Sequence, residues 1–157
     1  MRILVVSDSH GAVRPLREVL ALHPEASLVI HLGDGAQDLA QAADLIGERR
    51  TVQVCGNCDF GSPLPVNALA EADGIRIFCS HGHAEHVKYG LQVLCDKARA
   101  QAARIALYGH THEPVTAILD GLYLMNPGSI RAGSYGMIDL APGGILCHTA
   151  TLSRREP

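Results

Sequence analysis

The chain lacks tryptophan and has few aromatic residues, which make up only 4% of its 157 residues, whereas 47% are hydrophobic. An interior with so few large rings has to be built from Ala, Leu, Val and Ile. At this length one domain is expected rather than two, and a domain of about 150 residues buries roughly 70% of the surface of its unfolded chain. The composition therefore predicts a single globular domain over residues 1–157.

A surplus of positive charge is also missing, because 13 Lys and Arg residues stand against 16 Asp and Glu residues, for a net charge of −3. Proteins that bind the nucleic-acid backbone normally carry a basic surplus, so we expect no such partner. An anionic substrate would have to be attracted locally, which a bound metal ion would do.

No hydrophobic run reaches the roughly 18 residues of a membrane-spanning helix, and Met1 leads into a predicted strand instead of a signal peptide. We therefore expect no membrane partner. The five cysteines form an odd set without a disulfide framework, which is typical of free thiols in a reducing compartment. Together these absences predict a cytoplasmic protein.

In the first half of the chain, hydrophobic runs typical of buried strands alternate with segments of helical periodicity. Strands are predicted over residues 2–7, 27–32 and 51–55, and helices over 13–22 and 37–46. Strands that alternate with helices imply a parallel sheet and an α/β fold.

The second half is dominated by hairpin patterns. Hairpins are predicted over residues 66–79, 115–125 and 136–152. The longest helix is predicted over 85–103, followed by a strand over 105–108. Parallel strands followed by hairpins indicate mixed sheets, two of them stacked between helices.

A short polar signature follows each of five predicted strands. The signatures are Asp8-Ser9-His10, Gly33-Asp34, Gly56-Asn57-Cys58-Asp59, His81-Gly82-His83 and Gly109-His110-Thr111-His112. Sites in α/β sheets form outside the carboxyl ends of the strands. If the strands are adjacent, all five signatures meet at one edge of the sheet.

The residue types in these signatures suit metal ions. Imidazole binds transition metals, and a carboxylate oxygen can bridge two ions. Side chains two positions apart on an extended chain point the same way, so Asp8 with His10 and His110 with His112 each offer two groups to one place. Glycine beside a ligand permits a tight turn and a close approach of the backbone.

Counting charges indicates what such a site would attract. Two divalent ions bring four positive charges, Asp8 and Asp34 bring two negative ones, and neutral His and Asn add none. A surplus of about two positive charges would lower the pKa of a metal-bound water and hold an anionic substrate. A hydroxide with a phosphodiester monoanion would neutralise that surplus, and a phosphomonoester is compatible with it as well.

Taken in this order, the five signatures resemble those of the calcineurin-like metallophosphoesterase superfamily, and in particular its small bacterial and archaeal phosphodiesterase branch. The resemblance extends from Met1 to the segment Asn126-Pro127-Gly128-Ser129. It implies an α/β fold of four layers, an αββα sandwich in which two stacked mixed β-sheets are flanked by helices.

The resemblance also implies two divalent transition-metal ions, with Mn expected first and Ni, Fe, Co or Zn as alternatives. The implied ligands of one ion are Asp8, His10, Asp34 and His112, and those of the other are Asp34, Asn57, His81 and His110. Asp34 would bridge the ions, and a hydroxide between them would attack phosphorus in line.

One position departs from the pattern of the superfamily. Many members carry a His directly after the motif Asn, where it is thought to protonate the leaving group. This chain has Cys58 there, so His83 is the candidate substitute, and the predicted catalytic set is Asp34, Asn57 and His83. Esters with good leaving groups are the expected substrates.

Three functions stay open on this evidence: a phosphodiesterase, a phosphomonoesterase, and a non-catalytic metal-binding scaffold subunit of the same fold. The expected partner is a small phosphate ester, and a homodimer or homotetramer is compatible with the sequence. Loops 60–66 and 83–90 are the expected places for substrate specificity.

Several other polar residues have simpler interpretations. His31 is expected to lie in the core or behind the ligands, and Asp59 to orient its own loop. Asp38 and Asp44 are expected on the solvated face of a helix. The spacing of Cys55 and Cys58 resembles a redox or zinc pair, but no helix and no second pair follow, so we interpret it as a coincidence.

Overall fold

The computed structural model describes residues 1–153, so the end of the predicted domain at 154–157 lies outside the described residues. Within this range the chain forms ten strands and three α-helices. The strands make two five-stranded sheets, each containing parallel and antiparallel neighbours.

The first sheet carries three of the five signatures. It contains β1 (Arg2–Val6), β2 (Leu28–His31), β3 (Arg50–Gln53), β9 (Ser134–Ala141) and β10 (Gly144–Thr151). The order across the sheet is β10-β9-β1-β2-β3, and β1, β2 and β3 are parallel. Val6 pairs with His31, and His31 with Gln53, so these three strands end at the same level.

The second sheet carries the other two signatures. It contains β4 (Asn67–Ala72), β5 (Ile75–Ser80), β6 (Ile105–Leu107), β7 (Val115–Leu119) and β8 (Leu122–Asn126). The order is β4-β5-β6-β8-β7, with β5, β6 and β8 parallel and with antiparallel hairpins at both edges. Cys79 pairs with Leu107, and Leu107 with Met125, so the parallel strands again end together.

Three clusters of buried side chains separate four layers. The helices are α1 (Val13–Leu22), α2 (Ala43–Ile46) and α3 (Gln92–Ala100). The central cluster joins the two sheets through residues such as Val5 and Leu107. A second cluster packs the first sheet against α1 and α2, and a third packs the second sheet against α3. The predicted αββα sandwich is therefore confirmed.

The helix predicted over 37–46 is broken in two. Leu39–Ala42 forms a 3-10 turn, and α2 adds only one further turn. Asp38, at the start of this segment, is only 5% exposed, so its predicted place on a solvated face is wrong. Asp44 does lie exposed, where Arg17 donates to its carboxylate at 2.6 Å.

The helix predicted over 85–103 is also shorter, because residues 83–89 form turns and only α3 is helical. Gly90 has a φ of 149°, which is outside the helical range. Glu85 is drawn into the sheet, where it is 1% exposed and accepts a hydrogen bond from the Ser80 hydroxyl. Within residues 1–153, no helix is long and apolar enough to cross a membrane.

Candidate metal centre

The five signatures converge although they follow strands of two different sheets. The loops meet where the parallel strands of both stacked sheets end. For adjacent strands, a single edge of one sheet was expected instead. The residues brought together are Asp8, His10, Asp34 and Asn57 from the first sheet and His81, His110 and His112 from the second.

One group of donor atoms consists of Asp8, His10 and His112. Asp8 Oδ1 lies 3.1 Å from His112 Nε2 and 3.5 Å from His10 Nε2, and the two imidazole nitrogens are 3.4 Å apart. Ligand atoms about 2.1 Å from a shared ion are separated by roughly 3.0 to 3.5 Å. The spacing of this group therefore fits one metal ion.

A second group contains Asp34, His81 and His110, whose donor atoms lie within 4.8 Å of one another. Asp34 Oδ2 is 3.2 Å from His81 Nε2, and that nitrogen is 3.0 Å from Asn57 Oδ1. His81 Nδ1 donates to the Leu32 carbonyl at 2.8 Å. This hydrogen bond leaves Nε2 free to face the group, as is usual for a metal-binding histidine.

Asp34 connects the two groups. Its Oδ2 atom lies 3.8 Å from His10 Nε2 in addition to its contact with His81. Its Oδ1 atom accepts a hydrogen bond of 2.8 Å from the Cys58 N–H. One oxygen therefore faces both groups while the other is tied to the protein. The mixture of nitrogen and oxygen donors suits divalent transition-metal ions, and the arrangement could hold two of them.

Five of the seven predicted ligands adopt a left-handed backbone conformation, which residues other than glycine rarely adopt. The φ angles are 56° at Asp8, 45° at His10, 57° at Asp34, 69° at His110 and 61° at His112. Each such residue costs of order 1 kcal/mol or more and persists only where surrounding contacts impose it. Strain concentrated in this way is typical of a functional site.

Electrostatics at the site favour bound cations. Burial favours the neutral form of Asp34, but hydrogen bonds from His81 and from the Cys58 N–H outweigh it and hold the pKa of Asp34 below its usual value. Burial alone would lower the pKa of His81, yet the carboxylates of Asp34 and Asp8 raise it. Burial and the neighbouring His81 lower the pKa of His110. The buried carboxylates thus draw positive charge towards themselves.

Two glycines let the loops approach the carboxylates this closely. A Cβ atom on Gly56 would lie 2.1 Å from Asp34 Oδ1. A Cβ atom on Gly109 would lie 2.2 Å from Ser7 Oγ and 2.7 Å from Asp8 Oδ2. Any other residue would displace the loop. The predicted close approach of glycine backbone is confirmed at both positions.

Asp59 fastens two loops of the first sheet to each other. Its carboxylate accepts hydrogen bonds from four backbone N–H groups, those of Asp34 (2.8 Å), Gly35 (2.9 Å), Ala36 (3.0 Å) and Gly56 (2.7 Å). Burial acts to raise the pKa of Asp59, but these donors lower it more, so it lies below the ordinary value. The prediction that Asp59 orients its loop is confirmed.

A chain of buried polar groups holds the loop after β1. His31 is fully buried, which lowers its pKa to about 4, and its Nδ1 accepts the Gly33 N–H at 3.1 Å. Its Nε2–H therefore donates to Ser9 Oγ at 2.9 Å, and the Ser9 hydroxyl donates to Asp38. Asp38 also accepts the Gly11 N–H. His31 thus lies behind the ligands as predicted, and these donors explain why Asp38 turns inward.

Asn126, which is fully buried, holds the loop after β6. Its Nδ2 donates to the Gly109 carbonyl at 3.1 Å and to Thr111 Oγ1 at 3.0 Å. Its Oδ1 accepts the Gly128 N–H at 2.9 Å. The segment at the end of the family resemblance therefore supports the loop that carries the predicted ligands His110 and His112.

His83 and Cys58 both lie beside the predicted ligands. The rings of His83 and His81 have centroids 5.4 Å apart, and His83 Nδ1 is buried without a hydrogen-bond partner in residues 1–153. Burial and the neighbouring His81 lower the pKa of His83. The sulfur of Cys58, an exposed free thiol, lies with the donor atoms of His10 and Asp34. The Cys55–Cys58 spacing did not predict this proximity, but the resemblance did, because Cys58 occupies the position at which many superfamily members carry a His.

Two open depressions, with volumes of about 830 and 570 Å³, adjoin the ligands and share His10 and Arg131 in their linings. The larger is also lined by residues 58–64, among which Phe60 is 92% exposed. The smaller reaches His112. Phe60 belongs to loop 60–66, one of the two loops predicted to contribute to substrate specificity. Arg131 was not predicted as a site residue, because it stands alone without a recognisable motif.

Comparison with known proteins identifies the family of the chain. Residues 1–141 match the family model described as the calcineurin-like phosphoesterase superfamily domain. The probable metallophosphoesterase YsnB of Bacillus subtilis is 33% identical over 132 residues, which cover 83% of this chain and 76% of that protein. The phosphodiesterase YfcE of Escherichia coli K12 is 28% identical over an alignment of 170 positions, gaps included, that covers 88% of each chain.

Solved structures show the same fold. A phosphoesterase-like protein from Streptococcus pneumoniae TIGR4 has a TM-score of 0.75 at 26% identity, over 95% of this chain and 97% of that one. A zinc complex of Vps29 from Entamoeba histolytica has a TM-score of 0.76 at 19% identity, over 96% of this chain and 99% of that one, a likeness that concerns the fold alone. By its sequence and its fold, this chain belongs to the calcineurin-like phosphoesterase superfamily.

Proposed function

We propose that the protein is a cytoplasmic two-metal phosphodiesterase acting on small phosphate diesters. The proposed ligands are Asp8, His10, Asp34, Asn57, His81, His110 and His112. The observation that carries the proposal is the position of Asp34 Oδ2, which lies 3.2 Å from His81 Nε2 and 3.8 Å from His10 Nε2, between the two groups of donor atoms. Mn is the first candidate for the metal, with Ni, Fe, Co and Zn as alternatives.

Two divalent ions held in such a site supply Lewis acidity and a nucleophile at neutral pH. The protein's own part is to hold them with few negative charges. Asp8 and Asp34 are the only carboxylates among the proposed ligands, and Asn57 contributes a neutral oxygen. Asn57 Nδ2 donates to Cys58 Sγ at 3.5 Å, which leaves Oδ1 directed at His81. The remaining positive surplus favours an anionic ester.

The proposed site lacks an effective proton donor for the leaving group. His83 lies beside the proposed ligands and is the candidate proton donor, but its pKa is lowered by burial and by His81. At neutral pH it is therefore mostly unprotonated and a weak source of protons for the departing oxygen. We expect nitrophenyl esters to react much faster than alkyl esters, and equal turnover of the two would argue against this view.

The experiment that tests the function combines metal analysis with two assays. Metal content per chain is measured, and hydrolysis of bis(p-nitrophenyl) phosphate and of p-nitrophenyl phosphate is followed with Mn²⁺, Ni²⁺ and Zn²⁺. We expect two ions per chain and faster hydrolysis of the diester. Faster hydrolysis of the monoester would make the protein a phosphomonoesterase. No hydrolysis of either ester by a protein with two bound ions would leave only the scaffold function.

A further inference from the structure

Arg131 stands beside the proposed ligands, on a short 3-10 turn formed by Ile130–Ala132. It is exposed, and together with His10 it lines both depressions next to the site. Among the described residues that line either depression, Arg131 alone carries a permanent positive charge. Any substrate group that extends from the site into these depressions therefore meets one guanidinium.

The backbone beneath Arg131 is held firmly in place. The side chain of Ile130 is fully buried in the cluster between the first sheet and α1. The Ile130 N–H donates to the Ser7 carbonyl at 2.9 Å, and the Ser129 hydroxyl donates to the Asp8 carbonyl at 2.8 Å. The turn is thus fastened to the strand end that carries a proposed ligand, so the position of Arg131 relative to the site is built in.

The charge of Arg131 is not matched by the protein. Arg2 and Arg17 both form ion pairs with carboxylates, whereas Arg131 forms none within residues 1–153. Asp38 and Asp59 line the larger depression, but both oxygens of Asp59 and the Oδ2 atom of Asp38 already accept hydrogen bonds from the loops around them. An anion from solution is therefore the natural partner of this guanidinium.

Charge counting shows which substrates would supply that anion. A hydroxide and a diester monoanion would neutralise the surplus of about two positive charges at the metals. The positive charge of Arg131 would then still lack a counter-ion. We propose that Arg131 binds a second anionic group, a carboxylate or a phosphate, on the diester that the site hydrolyses. A guanidinium pairs with either group through two parallel hydrogen bonds. The inference rests on the proposed function for the identity of the scissile group.

Binding of ligands that are not hydrolysed tests this role separately from turnover. Mn-loaded protein is titrated calorimetrically with 3-phosphonopropionate and with propylphosphonate, which share the phosphonate and the chain length and differ in a terminal carboxylate. We expect the wild type to bind 3-phosphonopropionate roughly 3- to 5-fold more tightly, the size of a partly exposed ion pair. Ethane-1,2-diphosphonate is titrated in the same way, because its second phosphonate stands for a phosphate in place of the carboxylate. Whichever of the two ligands with two anionic groups binds more tightly identifies the group that Arg131 prefers.

Arg131→Ala should abolish the preference while leaving the affinity for propylphosphonate unchanged, which also shows that the variant is folded and holds its metal. Arg104→Ala is the matched control, since it removes the same charge beside the opposite end of β6 and should keep the preference. Equal affinities in the wild type, or a preference that persists in Arg131→Ala, would overturn the proposal. If the wild type showed the binding preference but hydrolysed no ester, the proposed function would be contradicted and the role of Arg131 in binding would stand.

Discussion

The two sheets contribute different chemistry to the candidate site. The first supplies both carboxylates and the amide with a single imidazole, and the second supplies only imidazoles; in order, these are Asp8, His10, Asp34 and Asn57, then His81, His110 and His112. All of the negative charge among the seven candidate ligands therefore comes from the loops of the first sheet. In the proposed two-metal site, the first sheet would set the charge and supply the bridge between the ions, and the second would add neutral donors.

The anchors behind the loops differ in the same way. In the first sheet, Asp59 accepts hydrogen bonds from four backbone N–H groups. In the second, Asn126 donates to a carbonyl and a hydroxyl and accepts from one N–H. A carboxylate suits loops that present only donors, and an amide suits loops that present both donors and acceptors.

The largest expected effect is a difference in metal retention and turnover between a ligand variant of the first sheet and one of the second. Asp34→Asn removes the charge and the oxygen that faces both groups, so we expect it to retain neither ion and to lose at least about 100-fold in diester hydrolysis. His112→Gln, whose imidazole is half exposed and belongs to one group, should retain about one ion per chain. Metal content and turnover measure both variants. Asp44→Asn, on exposed α2, should behave like the wild type, and two retained ions in Asp34→Asn would refute the bridging role.

Replacing Asp59 by Asn and Asn126 by Asp should each lower the stability of the fold, for opposite reasons. Asp59→Asn puts an N–H₂ group against backbone donors, and Asn126→Asp puts an oxygen against acceptors. Each change preserves shape, so we expect each to lower the free energy of unfolding by about 2 kcal/mol in the metal-free protein. Urea denaturation measures the loss. If Asp59→Asn unfolded at the same urea concentration as the wild type, Asp59 would not be an anchor.

Acidification should weaken only the anchor of the first sheet. The folded pKa of Asp59 lies below its ordinary value of 3.8, so its contribution to stability is complete above that pH and is lost as the pH falls through the lowered pKa. The stability difference between wild type and Asp59→Asn should therefore shrink below about pH 3.8. The difference for Asn126→Ala should stay constant, because an amide does not titrate. Denaturation of the metal-free protein at several pH values tests both expectations.

The limits of the sequence are visible in the segment predicted as a helix over 85–103. Its hydrophobic periodicity continues through Val87, yet residues 83–89 form turns. The reason is tertiary, since Glu85 is held by the Ser80 hydroxyl and by Asn67 on the neighbouring strands. Asp38 shows the same effect, because contacts with Ser9 and Gly11 turn an expected surface residue inward. Most of these contacts join residues far apart in sequence, such as Asn67 with Glu85 and Ser9 with Asp38, and they leave no local pattern.

The sequence by itself determined the strands, the glycine-flanked signatures and the residue types of the candidate site, because strand ends, turn glycines and metal-binding side chains follow from local geometry and chemistry. Only the tertiary structure decided that these signatures meet across two sheets, that Asp34 Oδ2 faces both groups of donors, and that Arg131 stands beside them. Those outcomes depend on how two separate sheets stack and where their strands end. Stacking is set by the buried clusters between the layers, which no single segment of the chain specifies.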